Sequence, residues 1–288
     1  MLNLIVAPKE HIYNAEEYAK RVVRYLKAQQ VEYSVYFSPS FEDLRASVKK
    51  LIALGEHDLV VVGDDVIVHN VLDQIKDLNK IKLGLIPTNK NDDLALSLGL
   101  SANPLQAIKD ILKNNTQNID LMVVNGSPVI NNLIVGANVE IYHQYSQFKI
   151  KNVFTAQYAV KKYGNVYNGI DLHLDNKSKT KKENIFSLVV ANGGRAKGKP
   201  VSPLANMQDG LFNLTYSLVL QKKANSKFLK KFKKGEHIYD EETKQFWLSS
   251  LKITNPEKKI KVLVDGIIQN EEELQISMLE GALKVYKA

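Results

Sequence analysis

The first residues in the chain whose types and spacing could do chemistry are two adjacent carboxylates behind one glycine, in Val61-Val62-Gly63-Asp64-Asp65-Val66-Ile67. They follow a continuous apolar run and precede a helical pattern. A nucleotide-binding fold presents bare backbone N–H groups to phosphate at such a place. Adjacent aspartates also suit a hard cation, which takes oxygen ligands. A third use is purely structural, with Asp64 capping the helix that follows.

Other chemistries are narrowed by composition. The chain has 288 residues and no cysteine, which excludes disulfides, thiolate nucleophiles and cysteine-ligated metals. Its six histidines are scattered without an HxH or HxxxH pair, so a transition-metal centre is not expected. There is no serine-centred nucleophile motif and no nucleic-acid-binding module. Lysine and arginine number 39 against 31 acidic residues, a net charge of +8 that favours anionic partners or a lysine-rich solubilising surface. In Ser226–Lys234, SKFLKKFKK, helical spacing sets Phe228, Leu229 and Phe232 on one face and five lysines elsewhere. That face either rests on an anionic membrane through Lys227–Lys234 or packs on the protein's own sheet.

The elements that must position these residues follow from apolar periodicity. Leu2–Ala7 reads as a strand, Ala15–Gln29 as an amphipathic helix, Glu32–Ser38 as a strand and Ser40–Leu54 as a helix. Asp58–Gly63 and Lys82–Pro87 are continuous apolar runs of the kind found in parallel strands covered on both faces. Helices are expected over Val66–Leu78, Leu94–Leu98 and Pro104–Asn114. The repeated β-α-β rhythm predicts a doubly wound α/β domain with ligands at the carboxyl ends of its strands.

After about Asp120 the rhythm changes. DLMVVNGSPVINNLIVG reads as a hairpin with a Gly-Ser-Pro turn, and strands are expected in GIDLHLDN, IFSLVVANG, GLFNLTYSLVL, LKIT, KIKVLVDG and LQISML. Only two helices interrupt them, near Ala156–Tyr163 and Ser226–Lys234, and Lys177–Glu183 is a charged hairpin tip. The expected second domain is antiparallel and β-rich. The start, MLNLIVAPKEH, reads as a first strand and not a signal peptide, and no apolar stretch reaches the roughly 20 residues that span a bilayer. The absence of cysteine fits a reducing cytoplasm, so a cytoplasmic protein with peripheral membrane contact is expected.

Several landmarks resemble the diacylglycerol kinase catalytic family of bacterial lipid kinases, which is related to sphingosine and NAD kinases. They are ANGG (Ala191–Gly194), SPLANMQDGLFNL (Ser202–Leu214), KFLKKFKKGEH, VDG (Val264–Gly266), the closing LEGALKVY, and KLGLIPTNKNDDLALSLGL (Lys82–Leu100). The resemblance covers essentially the whole chain. It implies an N-terminal α/β domain over residues 1–120 joined by a returning segment at about 279–288, and a β-rich sandwich domain over 121–278. It implies ATP-dependent phosphorylation of a lipid hydroxyl, such as that of diacylglycerol, in the cleft between the domains. Gly63, Asp64, Asp65, Val66, Asn89, Lys90, Asn91 and Asp92 would line the nucleotide, and Asp209 with the carbonyls of Asn206 and Leu211 would hold a structural Mg2+. The implied partner is a lipid substrate or ligand; a homodimer is left open and no nucleic acid is expected.

The chain departs from the family where the chemistry is carried. Gly-Gly-Asp-Gly-Thr becomes Val62-Gly63-Asp64-Asp65-Val66, and Gly-Thr-Gly-Asn-Asp becomes Asn89-Lys90-Asn91-Asp92-Asp93. Asn-Pro-x-Ser-Gly becomes Ala7-Pro8-Lys9-Glu10-His11, and the Asp-Gly-Glu with the family's proposed base becomes Asp265-Gly266-Ile267. Asp65, Asn89 and Asn91 replace glycines with the residues that best tolerate a left-handed backbone, so the turns are expected to keep their shape. Asp65 is then either a metal ligand or a plug in the phosphate space. Isoleucine cannot accept a proton, and Asp265 projects to the other side of an extended chain. The departures leave two functions: an atypical, weak lipid kinase, or a catalytically inactive member that binds a ligand or regulates a partner.

Overall fold

The computed structural model describes residues 1–164, 166–176, 179–219 and 222–288. The chain forms two compact units, Met1–Leu121 with Leu279–Ala288, and Met122–Met278.

In the first unit β1 (Leu2–Val6), α1 (Ala15–Ala28), β2 (Tyr33–Phe37), α2 (Phe41–Ala53), β3 (Asp58–Gly63), α3 (Asp65–Leu72), β4 (Lys82–Pro87), α4 (Asp93–Ser97) and α5 (Pro104–Leu112) alternate. The strands are parallel in the order β2-β1-β3-β4. The C-terminal segment adds a further parallel strand, Lys284 and Val285 pairing with Lys82 and Leu83. Tyr286 donates its hydroxyl to Asp58 Oδ1 at 2.7 Å, and the Gly281 amide donates to Asp120 Oδ1 at 2.7 Å. β3 and β4 are buried along nearly their whole length, which is why they read as unbroken apolar runs. α1 buries Ala15, Ala19, Val22 and Leu26, one stripe at helical spacing. α2 begins at Ser40, whose Oγ accepts the Asp43 amide at 3.2 Å. α5 begins with Asn103 as cap and Pro104 in its first turn.

α3 is shorter than Val66–Leu78. It ends at Leu72, and one 3-10 turn (Leu78–Lys80) leads to β4. The residues between, Asp73-Gln74-Ile75-Lys76-Asp77, bury only Ile75, so a further helical turn would have no apolar face to cover.

The second unit is antiparallel. It contains β5 (Thr116–Val124, entering from the first unit), β6 (Ser127–Val129), β7 (Asn132–Gly136), α6 (Ala137–Ser146) and α7 (Val153–Ala159), the last continued by a π-helical turn. Then come β8 (Ile170–Asn176), β9 (Lys179–Ala191), the short β10 (Arg195–Ala196) and β11 (Lys199–Pro200), β12 (Phe212–Leu218) and α8 (Lys222–Phe232). The unit closes with β13 (Thr243–Leu248), β14 (Ser250–Thr254), β15 (Ile260–Val264), β16 (Ile267–Glu271) and β17 (Glu273–Tyr286). The strand order is β16-β15-β7-β9-β8-β14-β17, and β12 with β13 branches from β9. β9 is long enough to pair β8 along its first half and both β7 and β12 along its second. Leu172, Leu188, Val190, Phe212, Ile253 and Leu274 are among the residues of the resulting core.

Three expectations are corrected here. The first hairpin turns at Asn125-Gly126, with Val124 paired to Ser127, so Ser127 and Pro128 lie in the strand and not in a Gly-Ser-Pro turn. Asn125 and Gly126 both have positive φ, 50° and 87°, the backbone that a two-residue hairpin needs. A third helix, α6, lies where none was expected; Gly136, at φ 96°, breaks the strand before it. Finally, β13, β16 and the short β10–β11 pair are additional strands. In the β8–β9 hairpin Asn176 pairs with Lys179, and Lys177 and Ser178 of the charged tip lie outside the described residues.

Among the described residues no helix is long and apolar enough to cross a membrane.

Candidate functional site

The two loops of the first unit converge through one side chain. Asp65 Oδ2 accepts the Asp93 amide at 3.1 Å and its Oδ1 accepts the Leu94 amide at 2.9 Å. These are the first two residues of α4, so the carboxylate occupies N–H groups that the family's second loop would turn towards an anion. Its neighbours are occupied in the same manner. Asp64 caps α3, its Oδ1 accepting the Ile67 amide at 3.2 Å, and both its oxygens lie 3.1 Å from His11 Nε2. Asp92 caps α4, accepting the Ala95 amide at 2.8 Å.

The backbone does not take the form expected of glycine replacements. Among the described residues the non-glycine positions with positive φ are Gln30, Asn114, Asn125, Lys197 and Asp265, so Asp65, Asn89 and Asn91 are not left-handed. Asp65 is already helical, and Asn89 Oδ1 closes a local turn on the Asn91 amide at 2.8 Å. Glycine at these positions would serve clearance and not φ, and it is clearance that the new side chains remove. Asn89, Lys90 and Asn91 form an exposed tip. Val66, in place of the threonine, brings no hydroxyl.

Gly63, the glycine that remains, is held by packing. A Cβ there would lie 2.8 Å from the Ile67 Cβ, because α3 sits directly on the end of β3. Gly63→Ala is therefore expected to lower the unfolding free energy by about 1–3 kcal/mol in urea titrations. An unchanged midpoint would mean that α3 shifts freely.

Charge at the loops runs against a polyanion. Asp92 is 2 % exposed, and burial pushes its carboxyl up to about 7. The Ala95 amide pulls it down, and the nearby carboxylates of Asp64 and Asp93 push it further up. A triphosphate would add charge of the same sign to this field and would have to displace Asp65 from the α4 amides. The residues present do not fit the phosphates of ATP on these loops. Among the described residues no group of three or more histidine, aspartate or glutamate side chains is placed to hold a metal ion.

The remaining candidates lie in the second unit. Asp265 is 3 % exposed with φ 42°, in a two-residue Asp-Gly turn that joins β15 to β16. Its Oδ2 accepts the Ile130 amide at 2.8 Å, and its Oδ1 accepts those of Asn131 and Asn132 at 2.9 and 3.1 Å. It is thus a turn and strand clamp and cannot stand in for the base lost at Ile267, which is half-buried and paired with Val264. Asp209 lies in an exposed Asp-Gly turn with Gly210 at φ 73°. Its Oδ1 accepts the Leu211 amide at 3.0 Å, and Asn206 Oδ1 accepts that of Gln208 at 3.1 Å. The turn closes on its own hydrogen bonds; an all-oxygen set of Asp209 with the Asn206 and Leu211 carbonyls is of the type a hard cation accepts.

The α8 face offered to a membrane is covered. Phe228, Leu229 and Phe232 are 4, 2 and 7 % exposed and pack with Ile134, Phe186 and Val189 of the sheet, and Lys231 pairs with Asp240. Lys227 and Lys230 are exposed over this packed face.

A cavity of about 300 Å3 opens among β8, β9, β12, β13 and β14. Leu174, Leu214, Tyr216, Phe246, Leu248 and Leu251 give it apolar walls, and Lys179 and Lys181 also line it. It was not legible in the sequence, since its lining comes from five strands. His11 was equally hidden: only the fold brings it to Asp64, which is 53 residues away.

The comparisons with known proteins agree on the framework. Residues 2–124 match the family model described as "Diacylglycerol kinase catalytic domain", and residues 135–287 match "YegS C-terminal NAD kinase beta sandwich-like domain". A Staphylococcus haemolyticus (strain JCSC1435) protein named "Putative lipid kinase" is 27 % identical over 235 residues, 78 % of this chain and 74 % of that one. A crystal structure of a diacylglycerol kinase from Bacillus anthracis str. Sterne superposes with TM-score 0.75 at 17 % identity, covering 100 % of this chain and 96 % of the other. An NAD kinase from Archaeoglobus fulgidus, solved in complex with ATP, gives TM-score 0.52 at 14 % identity, covering 99 % and 92 %. At such identities the two structures speak for the fold alone.

Proposed function

Because the chain belongs to the diacylglycerol kinase catalytic-domain family, we propose that it is a lipid-directed member in which ATP-dependent phosphoryl transfer at the family's loops is closed off. The observation that carries this reading is the Asp65 carboxylate on the Asp93 and Leu94 amides. Isoleucine at position 267 supports it, since a positioned base is typically worth about 10²–10⁴-fold. The family's substrate class makes a lipid the expected ligand, and the apolar cavity lined by Leu174, Tyr216 and Phe246 suits its hydrocarbon part. Any Mg2+ would be held at Asp209 with the carbonyls of Asn206 and Leu211, stiffening that turn.

The competing reading is a working ATP-dependent lipid kinase. The position of Asp64 favours it: this residue stands where the family has its loop aspartate, at the junction of β3 and α3. Thermal-shift titrations with ATP, ADP and NAD, with and without Mg2+, separate the two. The wild-type chain is expected to show no saturable shift. Asp65→Gly is expected to unfold about 1–3 kcal/mol more easily, through loss of two charged hydrogen bonds, yet to gain a nucleotide-dependent shift. Saturable ATP binding by the wild type, together with transfer of label to diacylglycerol vesicles, would overturn the proposal.

A further inference from the structure

The segment between Glu140 and Asp171 contains no acidic residue, and four exposed lysines punctuate it, Lys149, Lys151, Lys161 and Lys162. Within nine residues of this stretch four large apolar side chains stand in water: Ile150 at 68 %, Val153 at 68 %, Phe154 at 79 % and Tyr158 at 51 % exposure. Phe154 and Tyr158 are spaced four apart on α7 and so share one face of it, with Val153 at the helix start and Ile150 two residues before the cap exposed beside them. Isolated exposed apolar residues are ordinary, but four of them within nine residues, edged by one sign of charge, mark an interaction surface.

This surface has a firm base. Asn152 and Thr155 form a capping box that fixes the start of α7, with the Thr155 amide donating to Asn152 Oδ1 at 3.0 Å. On the inner side Ala159 is fully buried, and Gly164 fits so closely under Ile141 and Leu229 that a side chain there would collide with both. Lys162 lies over the Tyr158 ring, 5.4 Å from its centroid. Lys162 and Phe148 thus cover part of Tyr158, while Ile150, Val153 and Phe154 keep most of their surface in water.

We propose that α7 and its flanks, residues 149–162, dock the protein on an anionic lipid bilayer. Phe154, Ile150 and Val153 would enter the headgroup–acyl boundary, Tyr158 would sit at the interface, and the four lysines would meet anionic headgroups. Charge selects this occupant: a protein groove would need acidic groups around an apolar slot, whereas a bilayer offers anionic charge over an apolar interior. The surface replaces α8, whose apolar face is already packed. It is tested without nucleotide, so its outcome is independent of the ATP titration.

The experiment is co-sedimentation of the full chain with vesicles of phosphatidylcholine alone and of phosphatidylcholine mixed with phosphatidylglycerol. The wild type is expected to pellet with the anionic vesicles and to be released by salt. Phe154→Ser, at a side chain with little packing to lose, and the pair Lys149→Glu with Lys151→Glu are each expected to weaken binding on the order of tenfold or more. Lys227→Glu with Lys230→Glu on α8 is expected to weaken it less than either. Retention of the wild type in the supernatant overturns the proposal, as does stronger loss from the α8 pair. A dimer in size-exclusion chromatography that Phe154→Ser converts to a monomer, without vesicle binding by the wild type, would also overturn it and assign the surface to a second copy.

Discussion

Replacing Asp265 with alanine is expected to lower the unfolding free energy of the second unit by roughly 3–5 kcal/mol. The buried carboxylate receives three amides in a row, those of Ile130, Asn131 and Asn132. Alanine would leave all three without that acceptor in a site that water does not reach, and it would also have to hold φ at 42°. Asp265→Asn tolerates the backbone and keeps one acceptor, so it should lose clearly less. The chain's single tryptophan, Trp247 in β13, reports on this unit by fluorescence during urea unfolding. If alanine cost under about 1 kcal/mol, the clamp would be incidental. A residue two positions from the lost base is thereby assigned to stability, and loss of activity on its mutation would not make it catalytic.

Asp92→Asn is expected to stabilise the first unit at neutral pH by up to roughly 3–4 kcal/mol. The Asp92 carboxyl is raised from 3.8 to about 7 by burial and by the carboxylates of Asp64 and Asp93. A folded-state value above the unfolded one means that the folded protein binds the proton more tightly. The resulting stability is complete below about pH 4 and is lost as the pH rises through 7. Asparagine keeps the oxygen that caps Ala95 and never ionises, so the difference between variant and wild type should grow from pH 5 to pH 8. His237 acts in the opposite sense. It is buried against Phe232, 4.6 Å between ring centroids, and burial lowers it to about 4, so stability is lost as the pH falls from 6.5 towards 4. The variant-minus-wild-type difference cancels that contribution. A difference that stays flat with pH would show that Asp92 titrates normally.

Much of the framework could be read from one-dimensional pattern. β3 and β4 were legible to the residue, because a parallel strand covered on both faces is an uninterrupted apolar run. The helix starts near Ser40 and Pro104 were legible as well, and the structure adds the caps, the Ser40 and Asn103 side chains accepting amides of the first turn. α6 was illegible for the opposite reason: Val139, Ile141, Tyr142 and Tyr145 are residues that strands favour, and only Ala137 and Val139 of the helix are buried. The exposed apolar residues at α7 were missed because the apolar content of α7 and α8 looks alike in sequence, while only the fold buries one set and leaves the other in water.

The sequence by itself determined the alternation of strand and helix, the change to antiparallel β structure after Asp120, and the identity of each group that departs from the family. These are properties of neighbours in the chain, and apolar spacing reports them directly. Only the tertiary structure decided what the departures mean. Asp65 could have been a metal ligand or a plug, and the fold sets its carboxylate on the α4 amides, 28 and 29 residues away. Asp265 could have been a displaced base, and amides from 133 to 135 residues away make it a clamp. A carboxylate's role depends on which donors and charges surround it, and folding sets those surroundings across distances that no local pattern spans.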